Sequence, residues 1–166
     1  KAALNGVFLE MIDLTIELPE SDAIIDQELV STLSIKEKSQ LKKGCVAYDP
    51  VTAAFHRGDK SCAPSAEATQ RHLDQLKEDR FRAFRVEAAR YFEAGMSEVH
   101  EIAIALHLGH HYWKTMQKHG MAPDSVSPLI EFHLSAGSSY FPTIAKLRSF
   151  RQMWAHIAQA TGIEED

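Results

Sequence analysis

The sequence predicts an α/β fold in which four strand–helix units follow one another around a parallel sheet. Short stretches rich in β-branched and aromatic residues alternate with longer stretches of helical composition. This alternation favours parallel strands joined by right-handed crossovers, with helices on the outside of the sheet. The chain has 166 residues, 45% of them hydrophobic, and it contains no internal repeat. We therefore expect a single domain over residues 1–166, with one sizeable core.

The first half of the chain is predicted to hold two strands and the helices that follow them. Residues 6–18 end in an alternation of apolar and polar side chains, which is typical of a half-buried strand. Residues 26–44 have helical composition and end in glycine, a common helix stop. A short strand near 45–49 is closed by an Asp-Pro dipeptide, and helical composition resumes in 51–58 and 64–79.

The second half of the chain repeats this order. A strand is predicted near 81–88, and a long helix over 95–120. A fourth strand is predicted near 129–134, in the alternating stretch LIEFHL, and the last helix near 139–161. These elements make the third and fourth strand–helix units.

The last helix carries apolar residues at helical spacing, which predicts the face that packs on the sheet. This stripe consists of Phe141, Ile144, Leu147, Phe150, Trp154 and Ile157. Lys146, Arg148 and Arg151 fall off the stripe, and we expect them to serve packing and pairing rather than ligand binding.

Charged side chains occupy one face of the predicted strands. Arg85 and Glu87 alternate with apolar residues in the third strand, and Glu131 and His133 do so in the fourth. Strands of a parallel sheet that is covered on both sides are usually apolar on both faces. Two interpretations follow: an edge or solvated face, or the polar lining of a barrel interior in which opposite charges pair.

The composition limits which functions and which cellular location are expected for the chain. The formal net charge is −5, so the chain has no broad basic surface for nucleic acid or for an anionic membrane. No apolar run approaches the length that spans a bilayer. Cys45 and Cys62 are the only cysteines and form no CxxC pattern, which favours a reducing compartment. We therefore expect a cytoplasmic protein.

The long helix carries histidines at a spacing found in metal sites. His107 and His111 have the i, i+4 spacing of a zinc-binding pair, but no HExxH motif accompanies them and a third ligand would have to come from elsewhere. The chain also lacks a Gly-rich phosphate loop and a Gly-x-Ser-x-Gly nucleophile elbow. We therefore predict no metal site.

Residues 93–157 resemble methylmalonyl-CoA mutase. The segment contains EAG before the long helix, LIEFHL in the following strand and IAKLRSFRQMWA in the last helix. In the family an EAGA…EL segment precedes FAPRLSFFF and then FFxEIAKLRAARRLWA, in the same order and with similar spacing. The family's fold is a (β/α)8 TIM barrel. The resemblance therefore implies that the chain forms four consecutive strand–helix units of such a barrel.

The resemblance also implies that this chain is not the catalytic one. Catalytic barrels of the family carry a Tyr-His pair before EAG and an Arg-x-Ser motif in the later strand, which hold the acyl thioester and the CoA tail. The corresponding residues here are Ala89 and Arg90, and Leu129 and Glu131. A guanidinium is permanently charged, and a carboxylate repels the polyanionic CoA. The chain therefore looks like the small, non-catalytic subunit of the heterodimeric mutases.

Large polar side chains would then fill the bore that the catalytic subunit keeps open for its substrate. These degenerate pocket positions are Arg85, Glu87, Arg90, Glu131 and His133. We expect no catalytic, cofactor-binding or metal-binding residue in this chain. The parent complex of the family isomerises methylmalonyl-CoA and succinyl-CoA with adenosylcobalamin, and the family's cobalamin motif, Asp-x-His-x-x-Gly, does not occur here.

The expected partner is the catalytic large subunit of the mutase, with which the chain would form a heterodimer. Half a barrel also leaves two sheet edges exposed, so we expect the isolated chain to form a homodimer. Two alternatives stay open. One is a catalytically competent acyl-CoA mutase barrel, in which Arg90 substitutes for the missing histidine; the other is an unrelated small flavodoxin-like ligand-binding domain.

Overall fold

Residues 6–17, 43–58, 69–70, 72–74 and 81–161 are described by the structure, a computed structural model of the chain. Strands and helices both occur among them, so the fold class is α/β. The strands are β1 (Asp13–Glu17), β2 (Lys43–Ala47), β3 (Phe81–Arg82), β4 (Phe84–Glu87) and β5 (Ile130–His133). The helices are α1 (Pro50–Arg57), α2 (Ala89–Glu93), α3 (Glu98–Lys118), α4 (Pro123–Val126) and α5 (Tyr140–Ala160).

Residue contacts divide the chain into two compact units, Lys1–Arg85 and Val86–Asp166. In the first unit three strands form a parallel sheet in the order β1-β2-β3. The register places Asp13 of β1 opposite Lys43 of β2. This small parallel sheet agrees with the α/β prediction, while the four consecutive barrel units and the single domain stay predictions.

The strand predicted over 6–18 is shorter in the structure, where β1 covers Asp13–Glu17 and Leu9–Met11 forms a short 3-10 helix. The second strand begins earlier than the sequence indicates. β2 starts at Lys43, whereas the predicted strand was placed near 45–49. The last two positions of the helix predicted over 26–44 are therefore strand, because their backbone pairs with β1 in the parallel ladder. The rest of that predicted helix lies outside the described residues. Of the helical stretch predicted over 64–79, the described residues are helical.

Helix α1 follows β2 closely because the Asp-Pro dipeptide starts it. The Asp49 carboxylate accepts hydrogen bonds from the Thr52 backbone N–H at 3.0 Å and from the Thr52 hydroxyl at 2.7 Å. Pro50 occupies the first helical position, where a missing N–H costs nothing. The helix ends at Gly58, whose φ of 72° is a left-handed conformation that glycine adopts without strain.

A buried histidine lies in the core of the first unit. The His72 imidazole stacks against Tyr48 and Phe84, with ring centroids 4.2 and 5.3 Å away, and its Nε2–H donates a hydrogen bond to the carbonyl of Ala83. Its Nδ1 is buried without a hydrogen-bond partner. Burial lowers the pKa of His72 to about 4, an effect that the hydrogen bond to Ala83 only partly offsets. The folded chain therefore holds this ring neutral.

In the second unit, β4 and β5 form a two-stranded sheet and the long helices α3 and α5 pack against each other. The centre of this packing is aromatic. Phe132 of β5 contacts Phe150 and Trp154 of α5 edge-on, with centroids 4.8 and 4.7 Å apart, and Trp154 contacts Trp113 of α3 at 5.8 Å. The Trp113 side chain is fully buried. These four rings join α3, β5 and α5 into one core.

Gly109 allows α3 to approach this aromatic core closely. A methyl group built on Gly109 would lie 2.6 Å from the Phe132 ring and 2.9 Å from the Trp154 ring, both far inside van der Waals contact. The absence of a side chain at this buried helical position therefore sets the distance between α3 and its neighbours.

The predicted apolar stripe of the last helix is only partly buried. Phe150 is buried, and Ile144, Trp154 and Ile157 are half-buried. Phe141 and Leu147 are exposed instead, and Lys146, which was expected off the stripe, is 3% exposed. The position expected for Lys146 was wrong, since it lies on the buried side of the helix, whereas the pairing expected of it is confirmed, as described below.

The histidine in the first unit predicts acid sensitivity. The unfolded state binds a proton near pH 6.5 and the folded state only near pH 4, so the free energy of unfolding falls as the pH drops through this window. His72→Gln keeps a donor for Ala83 but does not titrate. Urea unfolding at about pH 7 and pH 5 should therefore show that wild type loses about 2 kcal/mol more stability than His72→Gln. His156→Gln, at an exposed position, is the control. If His72→Gln loses as much stability between pH 7 and pH 5 as wild type does, His72 is not the source of the acid sensitivity.

The close approach at Gly109 predicts whether a substitution at this position raises or lowers the free energy of unfolding. Alanine has a higher helix propensity than glycine by about 1 kcal/mol, but the added methyl group overpacks the aromatic core at a cost of about 1–3 kcal/mol. We expect Gly109→Ala to lower the free energy of unfolding, measured by urea denaturation. Ala103→Gly, at an exposed position of α3, measures the propensity term alone. A rise in stability for Gly109→Ala would show that propensity dominates and that the core accommodates the methyl group.

Candidate functional site

The predicted pocket positions lie on β4, on β5 and at the start of α2. Arg85 and Glu87 are on β4, Arg90 is in α2, and Glu131 and His133 are on β5. Glu87 is buried and the others are half-buried. Arg85, Arg90 and Glu131 each have interaction partners in the protein.

Glu87 and His133 form a hydrogen-bonded pair between the two strands. His133 Nδ1 lies 2.7 Å from Glu87 Oε2. The Glu87 side chain is 10% exposed and that of His133 is 42% exposed, so the pair reaches from the protein interior to solvent. An ionised carboxylate can only accept, so His133 Nδ1 carries the proton of this bond. The pair joins two of the residues that the sequence singled out.

A second polar cluster, which the sequence did not predict, lies between α3, α5 and the loop after β5. Lys146 Nζ is 2.7 Å from Glu101 Oε2 and 2.7 Å from Ser135 Oγ. The Ser135 hydroxyl donates to Glu101 Oε2 at 2.8 Å, and the Ser135 backbone N–H donates to Glu101 Oε1. We call Glu101, Lys146 and Ser135 the buried ion-pair cluster.

The buried ion-pair cluster is withdrawn from solvent. The side chains of Glu101 and Lys146 are 0% and 1% exposed. Phe92 covers the ammonium group at 5.0 Å from its ring centroid, a cation–π contact. Two opposite charges are tolerated in such a position only when they are paired and hydrogen-bonded, and each condition is met here.

The chemistry of this cluster is structural. The Ser135 hydroxyl donates to the Glu101 carboxylate and accepts from the Lys146 ammonium group, so both of its hydrogen-bonding roles serve the ion pair. Its backbone N–H is also held by Glu101. The cluster therefore fixes the start of the loop that connects β5 to α5.

One sequence signal could have revealed this cluster. Glu101 lies on the buried face of α3, four residues before Ala105 and seven before Leu108, both of which are buried. Lys146 lies four residues before buried Phe150 on α5. Opposite charges on the apolar faces of two helices that pack together indicate a buried pair between them.

The histidines of α3 show no metal-site geometry. His107 is exposed and His111 half-buried. Within the described ranges no group of three or more His, Cys, Asp or Glu residues could hold a metal ion. His100 instead contacts the Ser97 hydroxyl, 2.8 Å from its Nδ1, at the beginning of the helix.

Comparison with known proteins identifies relatives of this chain. The family model of methylmalonyl-CoA mutase matches residues 2–166. The chain is 28% identical over 162 residues to a methylmalonyl-CoA mutase small subunit from Streptomyces virginiae, which covers 97% of this chain and 26% of that protein. It is also 28% identical over 164 residues to the small subunit from Propionibacterium freudenreichii subsp. shermanii, covering 98% of this chain and 26% of that protein.

A mitochondrial relative is similar over most of the chain. The mitochondrial methylmalonyl-CoA mutase of Homo sapiens is 28% identical over 156 residues, which covers 94% of this chain and 20% of that protein. The chain thus spans about a quarter of the length of the curated small subunits it matches.

The buried ion-pair cluster predicts a large effect of removing one partner. Lys146→Met leaves the Glu101 carboxylate buried without its counter-charge, which typically costs about 3–5 kcal/mol of folding free energy. The double change Glu101→Met with Lys146→Met should recover most of this loss because no charge is then buried. Arg148→Met, at an exposed position of the same helix, is the control and should change stability by less than about 0.5 kcal/mol. Equal losses for Lys146→Met and Arg148→Met in urea unfolding would disprove the cluster's role.

Proposed function

The chain belongs to the methylmalonyl-CoA mutase family, and we propose that it is a non-catalytic part of a small subunit of that family. In this proposal its strand–helix units form part of a (β/α)8 barrel that packs against the catalytic large subunit. The large subunit isomerises methylmalonyl-CoA and succinyl-CoA, and this chain supports it without touching the substrate. The small-subunit names of two relatives support a large-subunit partner.

The observation that carries the proposal is the side-chain chemistry at the positions that hold the thioester in catalytic barrels. Ala89 is buried at the start of α2 and its methyl group cannot donate a hydrogen bond to a thioester carbonyl. Arg90 beside it brings a permanent charge where a neutral imidazole would act. Leu129, just before β5, cannot pair with a phosphate, and Glu131 repels one.

The pair formed by Glu87 and His133 supports the same proposal because its side chains occupy space between the strands. In the proposed barrel the two side chains extend from neighbouring strands and are tied together at 2.7 Å. A substrate that enters between the strands would have to break this bond and desolvate the carboxylate, which costs several kcal/mol without a new partner. The pair therefore fills volume that a catalytic barrel leaves open for pantetheine.

The residues of this chain do not fit adenosylcobalamin. The sequence has no Asp-x-His-x-x-Gly motif to supply a cobalt-ligating histidine. We therefore assign the cofactor to another part of the complex and derive no step of the isomerisation from this chain.

The proposed complex is placed in the cytoplasm on the grounds of cysteine usage. None of the described helices is both long and apolar enough to cross a membrane.

Membership of the mutase family rules out the alternative of an unrelated flavodoxin-like domain. A catalytically competent barrel is the competing function, and it requires Arg90 to hold the thioester.

The proposal predicts that the chain does not bind acyl-CoA. Titration of the 166-residue chain with succinyl-CoA in a calorimeter should give no saturable heat. The quadruple variant Ala89→Tyr, Arg90→His, Leu129→Arg and Glu131→Ser restores the pattern of catalytic barrels and should bind better than wild type, since it regains phosphate and carbonyl partners. Micromolar binding by wild type, lost in Arg90→Ala, would favour the catalytic alternative.

The partner is tested in the same preparation by sedimentation velocity. We expect the chain alone to sediment as a homodimer through its sheet edges, and to move into a larger species when the catalytic large subunit from the same organism is added. A chain that stays separate from the large subunit at micromolar concentrations would contradict the proposed partnership.

A further inference from the structure

The strand predicted near 81–88 is interrupted in the structure by a bend at Ala83. β3 ends at Arg82 and belongs to the three-stranded sheet, whereas β4 begins at Phe84 and belongs to the two-stranded sheet. Ala83 is buried, so its backbone carbonyl has little access to water. The bend therefore needs a hydrogen-bond donor from inside the protein.

His72 supplies that donor. Its Nε2–H donates to the Ala83 carbonyl, and its ring contacts Tyr48 and Phe84. The imidazole is almost wholly withdrawn from solvent, with 1% of the residue exposed. Two residues after the bend, the Arg85 backbone N–H donates to the Tyr48 carbonyl at 3.3 Å. The bend and the start of β4 are thus held around one imidazole ring.

This site accommodates one proton on the imidazole but not two. The neutral ring donates through Nε2 and has an acceptor at Nδ1, which is buried with no hydrogen-bond partner among the described residues. Protonation would turn Nδ1 into a second donor that faces no acceptor there. A buried charged donor without an acceptor is strongly unfavourable. The protonated ring is therefore stable only where it reaches water, away from Ala83.

The charged groups around the ring do not relieve this cost. The titratable and charged residues nearest to it along the described elements that contact it are Tyr48, Asp49, Asp74, Arg82 and Arg85. The Asp49 carboxylate caps α1, and Asp74 accepts a hydrogen bond from Gln70 at 2.9 Å. The two arginines are cations and oppose protonation. Within the described ranges no carboxylate pairs with the imidazole, in agreement with a pKa that burial lowers to about 4.

We propose that His72 is an acid-sensitive switch that holds the bend at Ala83 when neutral and releases it when protonated. On release, the ring moves out to solvent and the Ala83 carbonyl loses its donor. β3 pairs with β2 through only two residues, so it detaches from the sheet edge together with the bend. The opening is local and leaves the rest of the first unit folded, which separates it from the acid sensitivity of complete unfolding. It involves no acyl-CoA contact and does not rest on the proposed function.

Amide hydrogen exchange of the 166-residue chain, followed by NMR, tests the switch. The reporter is the Arg85 backbone N–H, which the Tyr48 carbonyl protects in the closed form. After correction for the intrinsic pH dependence of exchange, opening at Arg85 should rise about twentyfold between pH 7 and pH 5, because the released ring titrates near pH 6.5 and the held ring near pH 4. Urea well below the unfolding transition should leave this opening unchanged, since a local opening exposes little surface.

Two variants separate the hydrogen bond from the titration. His72→Gln keeps a donor for Ala83 but does not titrate, so opening at Arg85 should be equal at pH 7 and pH 5. His72→Phe keeps an aromatic ring but removes the donor, so opening should already be raised at pH 7 and should not change with pH. His56→Gln, at an exposed position of α1, is the control and should behave as wild type. Circular dichroism checks that each variant is folded, and His72→Gln decides the pH dependence even if His72→Phe does not fold.

Three outcomes would overturn the proposal. The first is unchanged opening at Arg85 between pH 7 and pH 5 in wild type, which would show that the protonated ring stays in place. The second is an equal rise in His72→Gln, which would assign the opening to another group. The third is opening at Arg85 that increases with low urea in parallel with the amides of α1, which would show that the first unit unfolds as a whole.

Discussion

The buried ion pair between Glu101 and Lys146 is the constraint on which the second unit depends. It joins the first turn of α3 to the second turn of α5, and through Ser135 it also holds the loop that connects β5 to α5. A charge inside a protein restricts structure more than an apolar contact does, because only one arrangement satisfies every hydrogen bond. The aromatic packing around Phe132 buries apolar surface. The ion pair fixes how α3 and α5 are aligned with each other as they bury that surface.

In the proposed function, the strands at this site belong to a barrel that has lost its substrate without losing its fold. Catalytic barrels of the family use groups that donate to a thioester and pair with phosphate, and here those groups are replaced by an alanine, a leucine and charged side chains. The charges are compatible with folding because they find partners, as Glu87 does in His133. Pairing inside the protein and binding of a polyanionic ligand compete for the same atoms. In the proposed function, support of a catalytic partner is the role that remains for such a barrel.

Sequence reasoning identified the fold class and the helices of the second unit, because apolar periodicity is strong in long helices such as α3 and α5. It did not find the early start of β2, since a Lys-Gly pair has no strand propensity of its own and joins the sheet only through pairing with β1. It also placed Lys146 off the packing face, although the pairing expected of this residue is confirmed, because periodicity within α5 does not show that Glu101 of α3 lies opposite. The start of β2 and the burial of Lys146 both depend on pairing between separate elements. The pattern within a single element does not show such pairing.

Helix α5 divides its charges between two environments, and this division determines what its outer surface can recognise. On the inner side Lys146 is neutralised by Glu101, so it adds nothing to the field outside. On the outer side Arg148 and Arg151 remain, one of them at the edge of an apolar groove. Because screening limits surface charges to about 8–10 Å at physiological ionic strength, these two cations act only on groups close to the surface of the helix.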